Sequence, residues 1–187
     1  MKDKNFINKY FKKFKFLFDS LNKNLILEIK KKILITKKKN GKIILFGNGG
    51  SASTADHIAI DLTKNAKVRS TTFNNSSLIT CFSNDYGFEN WMSKSASYYI
   101  NKKDLVILIS ASGNSKNLVN VAKYCKKKKI KLITLTGFKK NNKLSKFTKT
   151  NLWINSMSYN IVEILHFIVL ATIVDMIIGK DRYHSKR

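Results

Sequence analysis

Proline does not occur once in the 187 residues, and cysteine occurs twice, as Cys81 and Cys125. Without proline, no helix or strand pattern in the chain is broken by one. The two thiols lie far apart, form no C-x-x-C pair and have no ligand-like neighbours. That excludes a disulfide framework and a cysteine-based metal site, and it fits reduced thiols in a cytoplasmic protein. Acidic residues are also scarce, 11 against 36 basic ones, for a formal net charge of +25. Such a surplus raises a nucleic-acid or membrane reading. Here the excess is almost all lysine, spread over nearly every segment beside abundant Asn, Ile and Phe, and its densest run, Lys126 to Lys129, sits where a helix should end. It reads as a solvated surface rather than as a nucleic-acid groove.

Other absences narrow the class further. The N-terminus carries lysine throughout and has no uninterrupted apolar core, so no secretory signal is expected there. Ile161 to Ile178 is of membrane-spanning length, but Glu163, His166 and Asp175 interrupt it, which favours a buried helix over a membrane segment. Neither a Walker Gly-Lys-Ser/Thr loop nor a G-x-G-x-x-G fingerprint is present, and no nucleotide cofactor is expected.

What is present is an alternation of helical and strand patterns. Phe6 to Leu21 spaces apolar residues at helical intervals with lysines opposite, and Leu25 to Ile35 predicts a second helix. Their greasy stripes must pack on a sheet or form a subunit interface. Strands are predicted at Ile43 to Phe46, Val68 to Phe73, Leu105 to Ser110, Lys131 to Thr136 and Leu152 to Ile154. Helices are predicted after a cap at Ser51 or Ser53, over Ser77 to Tyr99 with a break near Ser83 to Phe88, over Asn117 to Lys127, and from about Ser158 to Ile178. The expected architecture is one α/β domain over residues 1–187, with leading helices in 1–40 and a parallel-sheet core in 41–187.

Two strand ends carry the chemistry. After the first strand comes Gly47-Asn48-Gly49-Gly50-Ser51-Ala52-Ser53, where the glycines let the backbone turn sharply and approach a ligand, and Ser51 or Ser53 can cap the next helix. After Leu105 to Ser110 comes a second hydroxyl-rich turn, Ser110-Ala111-Ser112-Gly113-Asn114-Ser115, again opening a helix. Free N–H groups and a helix dipole at such a turn favour an anion. In a parallel sheet both turns lie at the carboxyl edge, where ligands bind, so a phosphorylated small molecule is the expected partner.

These motifs, with His57, Ser83-Asn84-Asp85-Tyr86-Gly87-Phe88 and Leu135-Thr136-Gly137, appear in family order and resemble the sugar isomerase (SIS) domain, more narrowly the phosphoheptose isomerases. The resemblance implies a flavodoxin-like three-layer sandwich with two leading N-terminal helices. It also implies a homotetramer built through those helices (a homodimer is the smaller alternative) and interconversion of sedoheptulose 7-phosphate with D-glycero-D-manno-heptose 7-phosphate, for lipopolysaccharide or capsule heptose. Carried over by position, it implies that Asn48, Gly49, Gly50 and Ser51 line the substrate site. Ser110, Ala111, Ser112 and Ser115 would take the phosphate, and Asn84 and Asp85 the sugar chain. His57 becomes a metal ligand or a polar contact. SIS folds also serve as sensing or adaptor modules, so a non-catalytic sugar-phosphate binder is the alternative.

The catalytic positions depart from the family pattern. Asp61 stands where the family has Glu, Glu163 is the best match for a Gln of the last helix, and Ala171 stands where a second His is usual. Aldose–ketose isomerisation through an enediol needs a carbon base and a group that shuttles protons on the oxygens. Asp61 is the first candidate for base, Glu163 its counterpart, and His166 the remaining histidine of that helix. His57, Asp61 and Glu163, with His166 nearby in the chain, form an N/O set that suits zinc or another divalent metal.

Overall fold

The computed structural model describes residues 2–181; Met1 and residues 182–187 of the expected span lie outside the described residues. Five strands form one fully parallel sheet: β1 (Ile43–Phe46), β2 (Ser70–Thr71), β3 (Leu105–Ser110), β4 (Lys131–Thr136) and β5 (Asn151–Trp153). Their order is β2-β1-β3-β4-β5, the flavodoxin-like arrangement. Seven α-helices connect and cover them: α1 (Lys2–Asp19), α2 (Lys23–Lys38), α3 (Gly50–Lys64), α4 (Ser76–Tyr86), α5 (Trp91–Tyr99), α6 (Lys116–Lys128) and α7 (Tyr159–Ile178).

The strands are apolar on both sides because both faces are covered. Ile43, Leu45, Leu105, Ile107, Ile109, Ile133 and Leu135 point to a core shared with α2, α3 and α7. The alternate residues Ile44, Phe46, Val106, Leu108 and Leu132 point to a second core with α5 and α6. Period-two alternation thus divides one continuous apolar run between two layers. Asp104, buried just before β3, holds the amino ends of the two central strands: its carboxylate accepts the Lys42 and Asn101 N–H groups, each at 2.8 Å.

One element differs from the sequence reading. The strand expected over Val68 to Phe73 shrinks to Ser70–Thr71. Val68 is held by its N–H bond to the Leu62 carbonyl, and Phe73 leaves the sheet edge to pack on Phe46, 5.4 Å between rings. The helical break expected near Ser83 to Phe88 is present: α4 runs through Tyr86 and ends at Gly87, whose φ of 78° is left-handed backbone that glycine adopts without steric cost. The shortened strand does not move the carboxyl edge of the sheet, where β1 and β3 lie side by side with Phe46 opposite Leu108. The chain passes from β1 outward to β2, then back across β1 to β3, so this pair is the point where the winding reverses.

Candidate active site

The two hydroxyl-rich turns leave adjacent strands at that reversal and face one cleft of about 290 Å³. Asn48, Gly49, Gly50 and Ser51 line it from the first turn; Ser110, Ala111, Ser112 and Ser115 line it from the second. All eight substrate-site positions expected on the two turns are therefore brought together. The first turn is tight because Gly47 lets the strand end and the helix start touch: a Cβ there would lie 2.8 Å from the Ala52 nitrogen. Gly49 follows with φ 53°, and α3 begins directly after it.

The two helices that open from the hydroxyl-rich turns have N-cap residues that make no side-chain capping bond. The N-cap of α3 is Gly49, which has no side chain, so neither Ser51 nor Ser53 caps the helix as expected; the N-cap of α6 is Ser115, whose hydroxyl makes no capping bond. By contrast Asn22, Asn75 and Ser158 close α2, α4 and α7 with side-chain oxygens. Ser51 is instead buried in the first turn of α3. Ser110 accepts the Gly113 N–H at 3.1 Å and stands 3.4 Å from the Ser115 hydroxyl. Among the described residues no lysine or arginine lines the cleft. An anion there would be met by hydroxyls, backbone N–H groups and two helix dipoles.

The one carboxylate of the cleft comes from α7. Glu163 lies directly against Gly50, where a Cβ would come within 2.9 Å of its carboxyl carbon. Burial pushes the Glu163 carboxyl above the usual carboxylate range, since desolvation disfavours the charged form. Tyr159, one turn earlier on α7, shares the cleft and was missed in the sequence. Its spacing four residues before Glu163 places it on the same helix face, a signal that was available. Asn117 was missed as well: it exchanges amide hydrogen bonds with Asn48 across the gap between the turns.

Other expected site residues lie elsewhere. Asp61 and His57 pair with each other, Nε2 to Oδ2 at 3.2 Å, further along α3, and Asp61 also accepts from Asn65 at 2.9 Å. Asp61 is eleven residues beyond Gly50, hence about 16 Å along the axis. It does not line the cleft of its own chain. His57 leans on the Phe167 ring instead, 5.0 Å between centroids. His166 is wholly buried, with Nε2 3.2 Å from the Thr136 carbonyl and Nδ1 unpartnered, and desolvation pulls its pKa down to about 4. It is a neutral core histidine and no cleft residue. Asn84 and Asp85 are exposed on α4, Asn84 donating to Asp85 at 3.1 Å; Phe88 and Glu89 of the following turn border the cleft mouth in their place. Among the described residues no three His, Cys, Asp or Glu side chains approach closely enough to hold a metal ion. The expected zinc set therefore does not assemble within one chain, because Glu163 faces Gly50 while His57 and Asp61 sit two to three turns further along α3.

A doubly wound parallel sheet with paired Ser/Gly turns over one cleft is the arrangement of a SIS domain. Residues 9–137 match the SIS-domain family model, and the chain belongs to that family. Within it the chain is phosphoheptose isomerase-like. It is 35% identical over 160 residues to the phosphoheptose isomerase of Aliarcobacter butzleri, covering 81% of this chain and 83% of that one. To the phosphoheptose isomerase of Helicobacter pylori it is 30% identical over 151 residues, 78% of each. The fold matches the solved phosphoheptose isomerase of Neisseria gonorrhoeae with a TM-score of 0.86 at 23% identity, over 95% of this chain and 99% of that one.

Proposed function

We propose that the protein is an aldose–ketose isomerase that interconverts sedoheptulose 7-phosphate and the corresponding aldose phosphate in heptose biosynthesis. One observation carries this reading: a carboxylate of raised basicity, Glu163, stands in the same cleft as the hydroxyls of Ser110, Ser112 and Ser115. The phosphate end would sit on the N-termini of α3 and α6, leaving the carbonyl end toward Glu163. Ionised Glu163 would take the proton from the carbon beside the carbonyl, giving an enediol, and return it to the neighbouring carbon. Tyr159 is the cleft group placed to exchange protons with the substrate oxygens. The relatives' names support the heptose phosphate as substrate.

An oligomer, homotetramer or homodimer, fits the surface. Phe6, Phe11 and Phe16 of α1 are 68%, 66% and 71% exposed, and only Leu17 of that helix is buried. Asp61 and His57, outside their own cleft, would meet substrate only in the cleft of a second copy. Mixing Glu163→Gln with Asp61→Asn chains tests this: recovered activity supports clefts shared between copies, and its absence rejects them.

A non-catalytic sugar-phosphate binder is the second reading, favoured by the confinement of His166 to the core. Incubation of purified protein with sedoheptulose 7-phosphate decides between them. Appearance of an aldose phosphate supports the isomerase. A raised melting temperature without turnover supports the binder.

A further inference from the structure

Beside the cleft, on the far side of the Ser110 to Ser115 turn, lies a second and larger hollow of about 610 Å³. Its walls carry five lysines, Lys116, Lys123, Lys126, Lys143 and Lys146, over a floor that includes Val119 and Phe147. Glu89 is the only carboxylate among its lining residues, and it stands 3.7 Å from Lys116. Among the described residues none of the other four lysines is in ion-pair distance of a carboxylate. Lysines are common over this whole surface, so their number alone would mean nothing. What distinguishes these is that they surround a concavity whose lining includes an aromatic ring, Phe147.

The backbone that carries Lys143 and Lys146 is tied to the neighbouring turn. The Lys143 N–H donates to the Asn114 side chain at 3.1 Å, and the Leu144 N–H donates to the Gly113 carbonyl at 3.0 Å. Asn142 packs against Gly113, where a Cβ would lie 2.8 Å from its own Cβ, and accepts the Ser145 N–H at 3.0 Å. A preorganised site loses less on binding than a floppy one. Its chemistry also contrasts with the cleft. The cleft offers hydroxyls and helix ends without a single cation, which suits one phosphate ester; the hollow offers several cations and a ring, which suits more charge and a planar group.

We propose that this hollow binds a small molecule carrying two linked phosphates and an aromatic base, of the nucleoside diphosphate class. The phosphates would lie among Lys126, Lys143 and Lys146, with the base against Phe147. A duplex is the poorer fit, because the cations ring a hollow and do not follow a track along which a regular backbone could run.

Calorimetric titration of the full chain with ADP at about 0.15 M salt tests it. The expected result is saturable binding of one ADP per chain. Lys143→Gln with Lys146→Gln should weaken it at least about fivefold, the effect of losing two charge contacts. Lys64→Gln with Lys102→Gln, which removes the same charge from exposed positions elsewhere, should leave it unchanged, and Lys143→Arg with Lys146→Arg should retain it. The proposal is overturned by no saturable binding up to about 1 mM. Equal weakening in both Gln pairs, or none in the Lys143 and Lys146 pair, would overturn it too. So would duplex DNA that competes with ADP and depends on the same two lysines, since that would make this face a nucleic-acid surface.

Discussion

Asn48 and Asn117 exchange two side-chain amide hydrogen bonds, 3.0 and 2.9 Å, and so clamp the turn after β1 to the first turn of α6. Asn117 is buried, and its oxygen also accepts the Leu118 N–H at 2.9 Å. The clamp sets the gap between the two turns, where the proposed phosphate would sit. Asn117→Leu keeps the volume but strands the Asn48 amide and the Leu118 N–H. It should cost about 1–3 kcal/mol in urea unfolding. The Michaelis constant for the sugar phosphate should rise with it, as the turns lose their spacing; an unchanged constant in a folded variant would mean the clamp serves stability alone.

Glu163→Gln keeps shape and removes the proposed base. Turnover should fall by about 10²–10⁴, the usual range for a general base, with the Michaelis constant little changed. Because burial raises the Glu163 pKa, the wild-type rate should fall off on the acid side at a pH above the ordinary carboxylate range. The active form is the ionised one, so activity is present above that pKa and lost below it. A pH profile flat through this region would remove Glu163 from the reaction.

Gly50→Ala tests the placement of that carboxylate. The new methyl meets Glu163, the far end of a movable side chain, so the fold should tolerate it while Glu163 is pushed aside. Turnover should drop by about tenfold or more, as expected when a reacting group is displaced by about 1 Å. The melting temperature should move little. A loss of stability with normal turnover per folded molecule would contradict the geometry.

His166 should govern acid stability without touching catalysis. Its folded pKa, about 4, lies below the ordinary imidazole value of 6.5. The unfolded chain therefore binds the extra proton between these values, and stability rises with pH across that window. Its contribution is complete above about 6.5 and is lost toward 4, by roughly 3 kcal/mol in all. His166→Leu should flatten that slope in chemical denaturation between pH 4 and 6.5 and leave turnover within about twofold. The Thr136 carbonyl keeps a partner in this variant, the Ile154 N–H at 2.8 Å. Loss of turnover would restore His166 to the reaction.

Much of this was legible in the residues themselves. A buried parallel strand announces itself as an unbroken apolar run, and a Gly- or Ser-rich turn directly after it has few other uses than a close backbone approach. So β1, β3, β4 and the two turns that face the cleft follow from local chemistry, while the choice of eight particular residues on those turns rests on the family resemblance. The N-cap of α3 did not follow from that chemistry, because capping depends on backbone angles that several neighbouring residues could have supplied. What only the tertiary structure decided is which of the expected acids faces the cleft, and that neither His57 nor His166 does. On α7, apolar on every side, Glu163 and His166 are three residues apart and no stripe tells a reader which way either points; packing against α3 and β4 turns one into the cleft and the other into the core. On α3 the spacing of His57 and Asp61 gives a shared face but no depth, and the rise of the helix carries both beyond reach of the cleft at its start.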